Sequence, residues 1–158
     1  MKFVDTKVVF REVPDEVTLA VNISGCPVRC PGCHSSYLTQ DIGEILDEQS
    51  LAKLIKGNAG ITCVSFMGGD ADPLHIKALA AWVHRNCPEL KTSWYSGSGL
   101  EQARDVIPEL DFIKVGPYVD EFGPLDSDTT NQRFYRISHE SDGDRLEDMT
   151  FRFRKHIL

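Results

Sequence analysis

The chain has 158 residues, of which 41% are hydrophobic and 26% charged, so its length and composition predict one ordinary globular domain over residues 1–158. A net charge of −7 argues against a nucleic-acid partner, which would require a basic surface. No apolar run approaches the roughly 20 residues of a membrane span and no signal-peptide pattern opens the chain, so we expect a cytoplasmic protein without a membrane partner.

The first predicted elements are strands and one helix. Residues 2–13 are typical of an edge strand or hairpin. Residues 17–25 are β-branched and continuous, which indicates a buried parallel strand. A helix is then expected between Asp47, a suitable N-cap, and Gly57, a helix stop.

Strands and helices continue to alternate along the middle of the chain. Residues 61–70 predict a second strand that ends in glycines, and Pro73 is suited to the first turn of a second helix. Residues 90–99 predict a third strand and turn. A short helix over residues 100–107 is expected to end at proline, before a fourth strand over residues 111–116.

The last part of the chain predicts a long loop over residues 116–131, a final strand over residues 132–137 and a turn over residues 139–145. Alternating strands and helices favour a mostly parallel sheet with helices outside it. A full eightfold barrel needs more than about 200 residues. We therefore predict an α/β fold built as a partial, open β/α barrel.

The loop after the first buried strand carries Cys26, Cys30 and Cys33 in the spacing CxxxCxxC. The chain has five cysteines, an odd number that excludes a complete set of disulfides. Without an export signal we expect reduced thiols, and clustered reduced cysteines indicate metal binding or catalysis.

Three cysteines in this spacing have four possible interpretations. Buried structural thiols fit poorly in a loop broken by proline and glycine, and a redox dithiol in CPGC leaves Cys26 unexplained. A structural zinc site could use His34, but it needs four ligands, and Cys63 and Cys87 are single. A 4Fe–4S cluster with three protein ligands leaves one iron open for chemistry. The loop follows a strand, where α/β proteins place their active sites, so the cluster is favoured.

The cysteine loop resembles the cluster motif of the radical S-adenosylmethionine (SAM) enzymes. FMGGDADP, residues 66–73, resembles the motif that ends the second strand in that family, with Gly68, Gly69 and Asp70 at its centre. Glycines let the backbone approach a ligand closely. Their N–H and C=O groups could bind the methionine moiety, a side chain at Gly69 would block that approach, and Asp70 could hold the loop or an ammonium.

Further segments resemble the activating proteins of anaerobic ribonucleotide reductases. These are ISGCPVRCPGC, WYSG at residues 94–97, DFIKVGPYVDEF, TTNQRFYRI and LEDMTFRF. Their order and spacing carry the resemblance, which covers most of the chain from Val17 onward. The segment Lys114–Gly116 departs from the family by lacking the acidic residue before its glycine.

This resemblance implies a radical SAM oxidoreductase with the family's partial-barrel fold. Cys26, Cys30 and Cys33 would hold a 4Fe–4S cluster, and SAM would bind at its open iron. The SAM site would include Gly32, Cys33 and His34 beside Gly68, Gly69 and Asp70, with no catalytic side chain beyond the cluster and SAM. A flavodoxin-like donor would supply the electron, and the product would be a glycyl radical on the reductase. A different substrate, or a small zinc-stabilised interaction module, remains as an alternative.

Overall fold

The computed structural model describes residues 1–155, in which eight strands form one sheet and three segments are α-helical. The strands are β1 (Lys2–Val9), β2 (Thr18–Ile23), β3 (Glu44–Ile45), β4 (Cys63–Met67), β5 (Lys91–Tyr95), β6 (Phe112–Val115), β7 (Arg133–Glu140) and β8 (Gly143–Asp148). The helices are α1 (Glu48–Lys56), α2 (Pro73–Asn86) and α3 (Leu100–Ala103). Short 3-10 turns cover Ser36–Thr39, Ile107–Glu109 and Thr150–Phe153. No helix in residues 1–155 has the length and apolar character needed to cross a membrane.

The sheet is mixed, with the strand order β3-β1-β2-β4-β5-β6-β7-β8. The central strands β2, β4, β5 and β6 are parallel to one another. The outer strands β3 and β1 on one side, and β7 and β8 on the other, pair antiparallel with their neighbours. The predicted partial, open β/α barrel with a mostly parallel sheet is therefore wrong, although strands and helices do alternate in the centre.

The connections between strands explain why the sheet is mixed. Parallel neighbours need a crossover, usually helical, whereas antiparallel neighbours can be joined by a short turn. Helices α1, α2 and α3 lie between β2 and β6, and all the parallel pairs fall within that part of the chain. The outer strands have no such crossover helices, so they add to the sheet antiparallel and leave it without the further β–α units of a barrel.

Local sequence signals place the first two helices as predicted. Asp47 caps α1 by accepting a hydrogen bond from Ser50 N (2.8 Å), while its own N–H donates to Ser50 Oγ (2.9 Å). Gly57 follows the last residue of α1. Pro73 opens α2, whose apolar stripe is buried and consists of Ile76, Leu79, Ala80 and Val83.

Two expectations concern the outer parts of the sheet. The edge strand or hairpin expected over residues 2–13 is confirmed as a hairpin, because β1 pairs antiparallel with β2, and the two-residue strand β3 covers only Lys2 and Phe3 on the outer side of β1. The predicted turn over residues 139–145 is the centre of a hairpin, since β8 follows and pairs with β7 from Tyr135 to Glu140. A half-buried strand is recognised in a sequence by alternating apolar and polar residues. Strand β8 lacks this alternation because nearly all its side chains are exposed, and the sequence therefore did not predict it.

The apolar core has two clusters. The larger contains Phe66, Trp94 and the apolar stripe of α2. The smaller contains Cys63 and Phe134, both fully buried. Since parallel strands end at one edge of a sheet, the loops after β2, β4, β5 and β6 come together there.

Candidate metal centre

A cavity of about 470 Å³ opens where the four parallel strands end. Cys26, Cys30 and Cys33 all line it, together with His34. The turn after β4 contributes Gly68 and Asp70, and the turn after β5 contributes Ser96 and Gly97. The fold thus brings together the cysteine motif and the glycine–aspartate motif, which lie about forty residues apart in the chain.

The cysteine loop, defined as residues 24–43, is closed at its base by hydrogen bonds. Gly25 N donates to Gln40 O (3.0 Å) and Cys26 N donates to Leu38 O (2.9 Å). Ser24 Oγ donates to Ile42 O at 2.6 Å. Inside this closed base the backbone is free of sheet pairing, so the cysteines sit on a fixed loop rather than in a core element.

The three thiols of the loop are free and partly exposed. No group of three His, Cys, Asp or Glu side chains within residues 1–155 is arranged to hold a single metal ion. A zinc ion needs all its ligands around one centre, whereas each thiolate of a 4Fe–4S cluster binds a different iron. Three thiols around one cavity are a donor set that suits such a cluster.

Asp70 fastens the turn after β4 to the turn after β5. Its carboxylate accepts hydrogen bonds from Ser96 Oγ (2.5 Å) and from Gly97 N (3.1 Å). Gly97 in turn allows the cysteine loop to pack closely, since a Cβ there would lie 2.9 Å from Val28 Cγ2. Of the two roles expected for Asp70, holding the loop is the one that these contacts provide.

The backbone groups of Gly68 are already engaged within the protein. Its N–H donates to Tyr95 O (3.0 Å), and its C=O accepts a hydrogen bond from Trp94 Nε1 (2.7 Å). Gly68 lines the cavity but has no free N–H for a ligand. This differs from the expectation that these groups would be open to the methionine moiety.

Gly69 is not among the residues that line the cavity. Its φ is +91°, and a Cβ there would lie 2.6 Å from Cδ1 of Ile76, which is fully buried. The missing side chain of Gly69 therefore faces the core under α2. A substitution at this position would disturb packing before it could block a ligand.

We expect Gly69→Ala to lower the free energy of unfolding by about 2 to 4 kcal/mol, because overpacking adds to the strain of a left-handed backbone. Gly60→Ala is the matched control: its φ is +87°, but a Cβ there would meet nothing within 4 Å. Strain alone should cost roughly 1 kcal/mol at Gly60. Urea unfolding of the metal-free protein measures both losses, and equal losses would contradict the packing role of Gly69.

The predicted long loop, residues 116–131, extends over the cysteine loop. The ring of Tyr118 lies 5.9 Å from the ring of His34, edge to face. Glycine at position 32 is favoured by its φ of +77°, whereas a Cβ there would make only an ordinary contact of 3.4 Å with Tyr118 Cε1. Asn131 Nδ2 donates to Pro117 O (3.0 Å), and Gln132 Nε2 donates to Gly116 O (3.3 Å). The NQR segment thus fastens the start of the long loop.

Lys114 is a cavity residue that the sequence analysis did not select. Its side chain comes from β6 and is buried, with Nζ donating to Gly116 O (2.7 Å) and Ser96 O (3.3 Å). Burial lowers the pKa of Lys114 to about 8, against the opposing effect of the nearby Asp70 carboxylate and the three cysteines. The sequence feature that could have identified Lys114 as a site residue is a lysine within the otherwise apolar strand DFIKVG.

Three free thiols line one cavity at the carboxyl ends of the parallel strands, and this donor set suits an iron–sulfur protein. The family described as the 4Fe-4S single cluster domain matches residues 16–137, well over half of the chain, and the protein belongs to that family. No curated protein and no solved structure matches the chain. The family supports the predicted 4Fe–4S cluster, and the matched range contains all three cysteines of the motif.

Proposed function

We propose that the protein is a radical SAM activase that reductively cleaves SAM at a 4Fe–4S cluster and generates a glycyl radical on an anaerobic ribonucleotide reductase. The observation that carries the proposal is the shared cavity, which is lined by the three free thiols together with Gly68 and Asp70. The order of the later sequence motifs favours the reductase as the partner.

Cys26, Cys30 and Cys33 would hold the cluster, which leaves one iron without a protein ligand. When bound, the cluster would supply one electron, from a flavodoxin-like donor, to split SAM into methionine and a 5′-deoxyadenosyl radical. The cavity of about 470 Å³ falls within the roughly 300–1,000 Å³ usual for small-molecule sites. In this proposal His34 and the turn held by Asp70, which line the same cavity, would orient SAM beside the cysteines.

A protein substrate is supported by a groove that adjoins this cavity. The groove, of about 760 Å³, shares Glu12, His34, Tyr95, Pro124 and Leu125 with the cavity, so the two spaces lie side by side. Phe10 lies along it and is 70% exposed. An open groove with an exposed aromatic side chain suits a polypeptide segment that brings a glycine Cα to the site and excludes water from it.

SAM cleavage tests the proposal directly. We expect the anaerobically reconstituted protein, reduced by dithionite, to convert SAM into 5′-deoxyadenosine and methionine, as measured by liquid chromatography. Cys30→Ala should lose this activity because the cluster loses a ligand. Cys87→Ala, which changes a partly exposed cysteine outside the cavity, should keep it. If the protein binds the cluster but never cleaves SAM, the proposed function is contradicted, and only its membership of the 4Fe-4S single cluster domain family stands.

A further inference from the structure

We propose that Lys114 is the cationic partner of the cluster: its buried ammonium balances the negative charge of the cluster and its thiolates and stabilises the reduced state. This inference rests on the proposed placement of the cluster at Cys26, Cys30 and Cys33. It does not require SAM chemistry. It concerns a residue that acts through charge and not as a ligand to iron.

The ammonium of Lys114 is buried without a carboxylate partner. The residue is 8% exposed and, within residues 1–155, makes no ion pair. Two backbone carbonyls accept hydrogen bonds from Nζ, and an ammonium has three donors, so one remains for the cavity. Asp70, the acidic residue that most affects its pKa, is already bonded to Ser96 and Gly97.

A buried charge without a counter-charge is costly, and buried cations are normally paired. The cavity that Lys114 lines also contains three cysteines, and their thiolates are the ligands that a cluster takes. An oxidised four-iron core with three thiolates carries a net negative charge, and an added electron increases it. The cluster would therefore supply the negative counter-charge that the buried Lys114 ammonium does not find in a carboxylate.

The other charged groups around the cavity do not offer the same interaction. Glu12 and Asp70 are acidic and would oppose a negative cluster. Arg29 is cationic and lines the cavity, but its side chain is exposed. Solvent and salt screen an exposed charge, whereas the field of a buried one persists. Lys114 is thus the buried cation among the described residues that line this cavity.

The experiment is a redox titration of the reconstituted cluster, with dithionite as reductant and electron paramagnetic resonance as readout. Lys114→Met removes the charge and keeps an apolar side chain of similar length. We expect its midpoint potential to become more negative than that of the wild type, because the reduced cluster loses its counter-charge. Arg29→Gln should shift the potential less. Urea unfolding of the metal-free Lys114→Met protein is the folding control, because the variant loses two hydrogen bonds of Nζ as well as its charge.

A potential equal to that of the wild type, or a shift no larger than that of Arg29→Gln, would overturn the inference. If Lys114→Met does not fold, Lys114→Gln provides the second variant, because its amide can still donate to the carbonyl of Gly116. Loss of the cluster from a variant whose metal-free form unfolds normally supports the same role. Failure of the wild type to bind a cluster would instead contradict the proposed function.

Discussion

Replacing any one of Cys26, Cys30 and Cys33 by alanine will abolish the brown chromophore of the anaerobically reconstituted protein. The wild type should bind about four irons and four sulfides per chain. The loop offers three thiols, so each substitution leaves two thiolates to hold the whole cluster. Iron and sulfide analysis, together with visible absorbance, measures the loss.

Cys63→Ala and Cys87→Ala are the matched controls, and both should keep the chromophore. Cys63 is fully buried in the core on β4, where burial raises the pKa of its thiol and disfavours the thiolate that binds iron. Cys87 follows the end of α2 and does not line the cavity. Stoichiometric zinc that survives iron reconstitution would show that the loop is a zinc site, contrary to this prediction.

A glycyl radical should form on anaerobic ribonucleotide reductase when it is mixed with the protein, SAM and a reduced flavodoxin-like donor. The reason is that the site adjoins a groove in which a partner's polypeptide segment would lie and cover the site. Electron paramagnetic resonance should then detect the doublet signal of a glycyl radical. The signal should be absent when the protein carries Cys30→Ala.

The partner supplies a second control for this experiment. Substitution of the reductase's target glycine by alanine should erase the doublet while SAM cleavage continues. If SAM is cleaved and no radical ever forms on the intact reductase, the activase function is contradicted. The protein would then still be proposed to cleave SAM at the cluster, but with a substrate other than the reductase.

The glycine–aspartate turn illustrates a partial success of sequence reasoning. The family resemblance predicts this motif beside the cysteines, and the structure brings Asp70 and Gly68 to the cavity that the cysteines line. The roles of the individual glycines were not predictable. The N–H of Gly68 is bonded to Tyr95, and the missing side chain of Gly69 faces Ile76, contacts that depend on residues distant in sequence.

Local patterns in the sequence determined helices α1 and α2 and the cysteine motif, whereas the helix expected over residues 100–107 ends already at Ala103. Asp47 and Gly57 bound α1, and Pro73 opens α2, because capping and backbone restrictions act over a few neighbouring residues. The CxxxCxxC spacing likewise indicated an iron–sulfur site, which the family supports. Such signals are short-range, so the sequence alone carries them.

Only the tertiary structure decided how the strands pair and what surrounds the cysteines. The outer strands join antiparallel, which turned the expected partial barrel into a mixed sheet. Lys114 lies in an apolar strand, and its burial beside the cysteines follows from where β6 sits among its neighbours. Strand pairing and the charge environment of a cavity arise from contacts between segments far apart in the chain, and no local pattern records them.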